Sequence, residues 1–327
     1  MIPGHLLAAD AGLFSADALG VLVVSFAVGI VVGLTGMGGG ALMTPALIFL
    51  GIPPTAAVAN DLVAAALNKS VGAAVHLRSG SPNIRLVGWL IVGSVPCALG
   101  ASFLLRVIAP VEAQEDWLKL AIGATLLLAA AAYLARMYLN LIRPTRPIGA
   151  GGIQVRPVPT VLVGAVGGAL VGLTSVGSGS LIMVSLLLLY PAMSPRRMVG
   201  TDLAQAIPLV LAAAIGHVIT SGITWAVLIP LVVGGSPGTL LGARLAARVP
   251  QAVIRRGITL VLTLTGLTLL TVPPPWVGII GAGLVILGPV GWNMLKLQAA
   301  HHRLQAGPDP DPDLAAEAGD DPDSAAG

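Results

Sequence analysis

The sequence predicts an all-α, polytopic membrane protein made of two inverted-topology repeats with broken or re-entrant helices. Of its 327 residues, 56% are hydrophobic and only 9% are charged, whereas a soluble domain carries about a quarter charged residues. Apolar stretches long enough to cross the hydrocarbon layer as helices recur along the chain. Matching residues also recur at offsets of 139 to 142 positions. A soluble fold of this length is therefore not expected.

The two ends of the chain differ from this apolar body. Seven of the fourteen acidic residues lie after Gly307, a composition typical of a solvated, disordered segment. We expect residues 297–327 to form a disordered acidic tail and residues 1–17 to form an N-terminal segment without the basic start of a secretory signal. The single Cys97 excludes an internal disulfide framework, and the sequence predicts neither a metal site nor a cofactor.

Seven apolar stretches have the length of a single membrane span. They cover residues 56–77, 86–107, 118–139, 198–220, 223–243, 256–272 and 276–295. Two further regions, 18–50 and 158–190, are apolar throughout but too long for one span. Small residues interrupt each region near its middle, from Thr35 to Gly40 and from Thr174 to Ser180. We interpret both regions as pairs of short helices joined within the membrane.

An internal repeat relates the two broken regions. The sequence Val-Gly-Leu-Thr at 32–35 recurs at 171–174, and rarer residue types then follow in register. The matched pairs are Asp61 with Asp202, His76 with His217, Gly93 with Gly234, and Pro96 with Pro237. The repeat predicts a first transmembrane unit at 18–140, a cytoplasmic linker at 141–157, a second unit at 158–273 and a final helix at 274–296.

The basic residues predict how the chain is oriented, because Lys and Arg accumulate in cytoplasmic loops. We take the 140–158 loop to be cytoplasmic and each broken region to enter and leave the membrane on the same side. Fourteen basic residues then lie on the cytoplasmic side, and only Arg106 and Lys119 lie on the outer side. The N-terminus is then outside and the C-terminus is cytoplasmic. This assignment gives the two units opposite orientations, and inverted repeats with helices broken at the midplane are a recurring design of secondary transporters.

The two breaks form the candidate binding site for a small anionic substrate. A helix that restarts within the membrane presents unpaired backbone N–H groups and the positive end of its dipole, and such an end binds anions. The residues expected there are Thr35, Gly38, Gly39 and Gly40 in the first break, and Thr174, Gly177, Ser178, Gly179 and Ser180 in the second. The alternative is that these are small-residue packing positions, which membrane helices also favour.

Asp61, Asp202, His76 and His217 are the candidates for ion coupling. An aspartate at the membrane centre costs about 2.5–3.5 kcal/mol on insertion scales, so it usually has a partner or a function. Each aspartate follows its predicted helix start by only about one or two turns, however, and could instead favour that helix N-terminus. The histidines could relay protons or could snorkel at the membrane interface.

Lys69 is the most deeply placed basic residue and lies two turns after Asp61. Asn68 is seven residues from Asp61 and shares its helical face. We expect both side chains to contribute to substrate binding. Lys69 could supply positive charge for an anion, or it could pair with an acid on another helix.

Two motifs of soluble enzymes do not lead to an enzymatic prediction. The run from Gly36 to Ala41 partly resembles a dinucleotide-binding fingerprint, but no βαβ unit follows it. The Gly-Ser-Gly sequence around Ser178, together with His217, leaves an intramembrane serine protease as a remote alternative, because sequence alone does not place the two side chains together. We therefore predict that the protein is not an enzyme.

The first break also carries a resemblance to a known family. The segment Gly33-Leu-Thr-Gly-Met-Gly-Gly-Gly-Ala-Leu-Met-Thr-Pro45, a second copy from Gly172, and the segment around Asp61 resemble the TauE/SafE sulfite exporter family, also called the four-toluene-sulfonate uptake permeases. In the second copy, Ser175 and Ser178 replace glycines. The resemblance implies transport of sulfur-containing anions such as sulfite or organosulfonates, driven by an ion gradient.

These observations together predict a secondary transporter of small sulfur-containing anions in the cytoplasmic membrane, with protons coupled through Asp61 or Asp202. A permease of the same architecture for another solute, including a divalent metal ion held by both aspartates, is the alternative. The expected partners are the anionic substrate and the lipid bilayer. The sequence shows no basic, aromatic-interleaved surface for nucleic acid, and it leaves a homo-oligomer open.

Overall fold

The computed structural model describes residues 16–35, 40–78, 82–142, 154–246, 248–249 and 251–305. Within these ranges the chain forms eleven α-helices and no strand. The helices are α1 Ala16–Thr35, α2 Gly40–Phe49, α3 Pro54–Arg78, α4 Ile84–Ile108, α5 Gln114–Ile142, α6 Pro157–Thr174, α7 Leu181–Leu189, α8 Pro195–Ser221, α9 Trp225–Leu245, α10 Gln251–Leu269 and α11 Pro274–Gln305. The prediction of an all-α polytopic protein is confirmed.

Seven of these helices are long and apolar enough to cross a membrane over the described residues, namely α1, α4, α5, α6, α8, α9 and α11. Helix α3 has the same length as α4, 25 residues, but it carries the charged residues Asp61 and Lys69. At 1.5 Å per residue such a helix is about 38 Å long, which exceeds the hydrocarbon thickness of about 30 Å. The charged residues of α3 therefore lie on a helix of membrane-spanning length.

The second predicted interruption is present, and residues 36–39 of the first lie outside the described residues. Helix α1 ends at Thr35 before α2 begins at Gly40, and α6 ends at Thr174 before α7 begins at Leu181. The second member of each pair is short, with 10 residues in α2 and 9 in α7. A helix of that length measures about 15 Å, or half of the hydrocarbon layer. Both short helices therefore have the dimensions of re-entrant segments.

The second interruption has a clear backbone cause. Ser175 adopts the left-handed conformation at φ 60°, and its N–H donates to the Val171 carbonyl at 2.8 Å, which closes α6. Gly177 at φ 123° and Gly179 at φ 89° follow, and a side chain at either position would be strained. Because helical geometry cannot continue through these residues, the chain restarts as α7 at Leu181.

Close packing of small residues joins the two halves of the chain. Helix α1 lies along α9 and α4 lies along α6, and in each pair the two helices run in the same direction. Leu22 lies at Gly234 and Ile30 at Gly242 in the first pair, and Leu90 lies at Gly164 and Ala98 at Gly172 in the second. Glycines permit such backbone approach between membrane helices. Helix α3 also packs on α8, and α5 packs on α10.

The final helix is longer than predicted. Helix α11 continues to Gln305, so the expectation of a disordered tail is wrong for residues 297–305. The ten residues from Lys296 to Gln305 include Lys, Leu, Gln, Ala and Arg and contain neither glycine nor proline, and the helix-breaking pair Gly307 and Pro308 follows. The other unit boundaries and the inverted relation of the two halves stay predictions.

Candidate substrate site between the two helix breaks

The two breaks lie against each other. Gly40 begins α2, and a Cβ atom at this position would lie 2.8 Å from the Ser175 hydroxyl oxygen, with the Ser175 carbonyl oxygen closer still. Any side chain larger than that of glycine would therefore push the two segments apart. Residues of the first and second breaks thus meet at one place in the fold, where both could contact one small solute.

Asp61 connects this junction to α3. Its Oδ2 atom accepts a hydrogen bond from Thr44 Oγ1 of α2 at 2.5 Å and another from Ser175 Oγ at 2.8 Å. The Asp61 side chain is buried, with 3% of its surface exposed. Neither donor belongs to the first turn of α3, so the carboxylate joins α2 to the second break instead of capping its own helix. Hydrogen bonds to an ionised acceptor are stronger than neutral ones.

Lys69 and Asn68 extend from α3 toward the second half of the chain. The Lys69 ammonium donates a hydrogen bond to Ser178 Oγ within the second break, and both residues are buried. Asn68 Oδ1 accepts a hydrogen bond from Ser236 Oγ of α9 at 2.9 Å. Both residues therefore lie at the contact between the halves, as expected of residues that contribute to a shared site.

Asp202 occupies the other side of the second break. Its carboxylate accepts a hydrogen bond from Gln205 Nε2 at 3.3 Å, and the backbone N–H of Gly179 faces it. The Gln205 amide oxygen accepts from Ser94 Oγ of α4 at 3.5 Å. Positive charge from Lys69 and, more weakly, from Arg136 acts on this carboxylate. One backbone donor that we predicted to face an anionic substrate thus faces a carboxylate of the protein itself.

Thr174 and Ser180, both predicted to contact the substrate, differ in their hydrogen bonding. Thr174 Oγ1 donates to the Leu170 carbonyl at 2.7 Å and accepts from the Val176 N–H at 3.2 Å, which satisfies the end of α6. Ser180 is 5% exposed, and its hydroxyl has no hydrogen-bond partner. A buried hydroxyl left unpaired costs about 1–3 kcal/mol. Ser180 is therefore the side chain in the second break with an unused donor.

Two other predicted residues, Thr35 and His217, each contact a backbone carbonyl group of their own half of the chain. Thr35 Oγ1 donates to the Val32 carbonyl at 3.0 Å at the end of α1. His217 is 3% exposed, and its Nε2 lies 2.7 Å from the Gly172 carbonyl oxygen. This burial excludes a histidine that snorkels at the interface. Gly38, Gly39 and the His76 side chain lie outside the described residues.

Several site residues were not predicted from the sequence. Thr44, Ser175, Gln205 and Ser236 each donate a hydrogen bond to a predicted residue, and Ser94 donates one to Gln205. Gln205 lies one helical turn after Asp202, a spacing that places the two side chains on one face. That spacing is a usable signal, whereas serine and threonine are too frequent in apolar helices to mark a site.

The second break contains several hydrogen-bond donors and no cluster of metal-binding side chains. Among the described residues, no three or more His, Cys, Asp and Glu side chains converge as metal ligands would. Donors of three kinds occur at the second break: the Lys69 ammonium, the hydroxyls of Ser178 and Ser180, and the N–H of Gly179. Ser178 Oγ accepts a hydrogen bond from Lys69, whereas His217 Nε2 lies at the Gly172 carbonyl.

Comparison with known proteins decides the family. The sequence matches the family described as sulfite exporter TauE/SafE over residues 21–269. The chain belongs to the TauE/SafE family.

Two relatives come from Bacillus subtilis (strain 168). The "Probable membrane transporter protein YjnA" is 36% identical over 257 residues, which are 76% of this chain and 98% of the relative. The "Probable membrane transporter protein YdhB" is 28% identical over 251 residues, which are 76% of this chain and 99% of the relative. No solved structure matches the chain significantly.

The TauE/SafE match identifies the chain as a multi-pass membrane transporter. The matched residues include both breaks and all of the predicted site residues, from Thr35 to His217. They end at Leu269, the last residue of α10, so that α11 lies outside the match. The part of the fold that carries the candidate site is therefore the part that the family shares.

Proposed function

We propose that this transporter carries a small sulfur-containing oxyanion, such as sulfite or an organosulfonate, across the cytoplasmic membrane. The observation that supports this most strongly is the Lys69 ammonium bonded to Ser178, in the same break as the unpartnered hydroxyl of Ser180. A buried positive charge with an adjacent unused donor suits a substrate that brings negative charge and several acceptor oxygens.

The substrate would bind with its oxygens toward the second break. An ammonium has three donors, and Lys69 uses one of them on Ser178. The remaining donors and the Ser180 hydroxyl could each contact an oxygen of the anion. Sulfite and sulfonate groups carry three oxygens on one sulfur, so their shape fits donors that converge from several directions.

We also propose that proton binding at Asp202 is coupled to anion binding. The Gly179 N–H faces the Asp202 carboxylate, and a substrate oxyanion bound in the second break would compete for the same donor. Protonation of Asp202 removes the competing charge and frees this N–H, so a proton and an anion bind together more tightly than either does alone. Such reciprocal coupling is the thermodynamic requirement for a proton-driven carrier.

An inverted relation between the halves would provide alternating access. Helix directions support this part of the proposal. Hydrogen bonds join Asn83 to Thr201 and Ser102 to Ala213, so α4 and α8 run in the same direction. Because a short connection makes α3 antiparallel to α4, α3 and α8 run in opposite directions, as equivalent helices of inverted repeats do. The distribution of basic residues supports an orientation with the N-terminus outside and the C-terminus in the cytoplasm.

Flux measurements in proteoliposomes test the proposal. Radiolabelled sulfite and a panel of organosulfonates should accumulate when a pH gradient is imposed, and a proton ionophore should abolish the accumulation. Liposomes without protein give the background. Absence of flux for every sulfur oxyanion would overturn the substrate assignment, and flux of a divalent cation without any anion flux would favour the metal-ion permease.

A further inference from the structure

Helix α11 packs loosely against the rest of the protein and leaves a crevice beside it. The crevice lies between α5, α10 and α11 and has a volume of about 520 Å³. Its walls are almost entirely apolar, with Leu134 and Met137 on α5, Leu260 on α10, and Trp292 and Leu295 on α11. It contains none of the residues of the candidate substrate site.

The crevice has the depth of one membrane leaflet. Its wall on α11 runs from Leu284 to Leu295, which at 1.5 Å per residue is about 16 Å, close to half of the hydrocarbon thickness of about 30 Å. Leu295 is also the last residue of the apolar span of α11. The crevice therefore extends from near the bilayer centre to the end of that span.

Arg256 lines this crevice from the second turn of α10. Its Nε atom is buried and has no hydrogen-bond partner. Leaving a buried donor of a charged group unpaired is costly, and a guanidinium matches the geometry of a phosphate with two parallel hydrogen bonds. Trp292 lines the same crevice, and tryptophan favours the headgroup level of a bilayer.

We propose that this crevice binds an anionic phospholipid, with the phosphodiester on Arg256 and an acyl chain between α5, α10 and α11. The crevice is apolar over the depth of one leaflet, and an unpaired guanidinium donor lies in its wall. An anionic phospholipid has the matching arrangement, with apolar acyl chains and a negatively charged headgroup. Basic pockets between membrane helices at the cytoplasmic side are suited to anionic headgroups.

A second crevice provides an internal comparison. It lies between α1, α2 and α10, has a volume of about 510 Å³, and is lined by residues such as Val31, Phe49 and Ile258 but by no charged side chain. An acyl chain in that crevice would have no headgroup preference. Selectivity for anionic lipid should therefore be confined to the crevice that contains Arg256.

Fluorescence quenching by brominated lipid tests the proposal in the full-length protein. A variant that keeps Trp292 and replaces the other four tryptophans by phenylalanine reports on this crevice alone. We expect acyl-brominated phosphatidylglycerol to quench Trp292 at about fivefold lower mole fraction than acyl-brominated phosphatidylcholine. Arg256→Gln should abolish this preference, Arg256→Lys should retain part of it, and Arg106→Gln should leave it unchanged.

Other outcomes would overturn the proposal. Equal quenching by the two lipids, or a preference that persists in Arg256→Gln, would show that the guanidinium does not select a headgroup. Suppression of the preference by millimolar inorganic phosphate would assign the site to a soluble anion. If Arg256→Gln does not fold, the thermal stability of the original protein with each lipid, compared with Arg256→Lys, gives the same test.

Discussion

Lys69 on α3 donates a hydrogen bond to the hydroxyl of Ser178, which lies 109 residues further along the chain in the second helix break. This bond brings the positive charge of one half to the small-residue segment of the other half. Asp61 connects α2 to the same break through Thr44 and Ser175. Helix α3 thus contacts the second break through two charged side chains, and a solute bound there would experience both charges.

Substitution of Lys69 should weaken anion transport more than it weakens the fold. Lys69→Gln removes the buried charge, and a hydrogen bond to a charged group contributes about 1.5–3 kcal/mol. We expect the apparent KM for the transported anion to rise at least tenfold. Initial rates of uptake in proteoliposomes over a range of anion concentrations provide the measurement.

Lys119→Gln is the matched control for this experiment. Lys119 is 41% exposed and pairs with Asp116 at 3.5 Å within α5, and such surface pairs contribute little. Its replacement should leave the KM unchanged. An unchanged KM in Lys69→Gln as well would remove Lys69 from the binding site.

Asp202→Asn should abolish the pH dependence of anion binding. In the original protein, binding should tighten as the pH falls, because protonation of Asp202 frees the Gly179 N–H for the substrate. Asparagine lacks the competing charge at every pH, so the variant should bind the anion with one pH-independent affinity. Isothermal titration calorimetry in detergent, over about three pH units around neutrality, measures the slope. A slope that persists in the variant would place the coupling proton on another group.

Two substitutions of Asp61 should separate its structural role from its charge. Asp61→Ala leaves the buried hydroxyls of Thr44 and Ser175 without an acceptor, which should destabilise the protein by about 1–3 kcal/mol for each unpaired group. Asp61→Asn retains an acceptor oxygen and should fold with a smaller loss of thermal stability. Thermal unfolding followed by tryptophan fluorescence compares the two variants. Equal losses would indicate that the carboxylate charge, and not its role as an acceptor, joins α2 to the second break.

The sequence was sufficient to predict the all-α polytopic fold and the second break, and the reason is physical. Apolar length determines where a helix can cross a bilayer, and the run from Thr174 to Ser180 contains glycines at positive φ that no other residue would favour. Asp61 and Lys69 were predictable because charged residues within apolar sequence are rare and costly.

The hydrogen-bond partners were not predictable in the same way. Thr44 and Ser236 reach the site through the packing of α2 and α9 against α3, and neither residue differs in sequence from the many hydroxyl residues that bond only to their own helix. His217 was expected either to relay protons or to snorkel. Its actual partner, the Gly172 carbonyl, depends on how closely α8 approaches α6, which no local pattern encodes.

Replacing an interfacial glycine should show how strongly the halves depend on close helix contact. A Cβ atom at Gly242 would lie 2.8 Å from the Ile30 carbonyl carbon and 2.9 Å from the Leu34 nitrogen, both of which are backbone atoms that cannot move aside alone. Gly242→Ala should therefore separate α1 from α9 and destabilise the protein by about 1–3 kcal/mol, with a lower midpoint of thermal unfolding. Gly283→Ala on α11 is the matched control, because nothing lies within 4 Å of a Cβ there, and alanine should slightly stabilise that helix. If both variants unfold at the same temperature, the contact between α1 and α9 is not as close as the structure places it, and the rigid pairing of the two halves would no longer be supported.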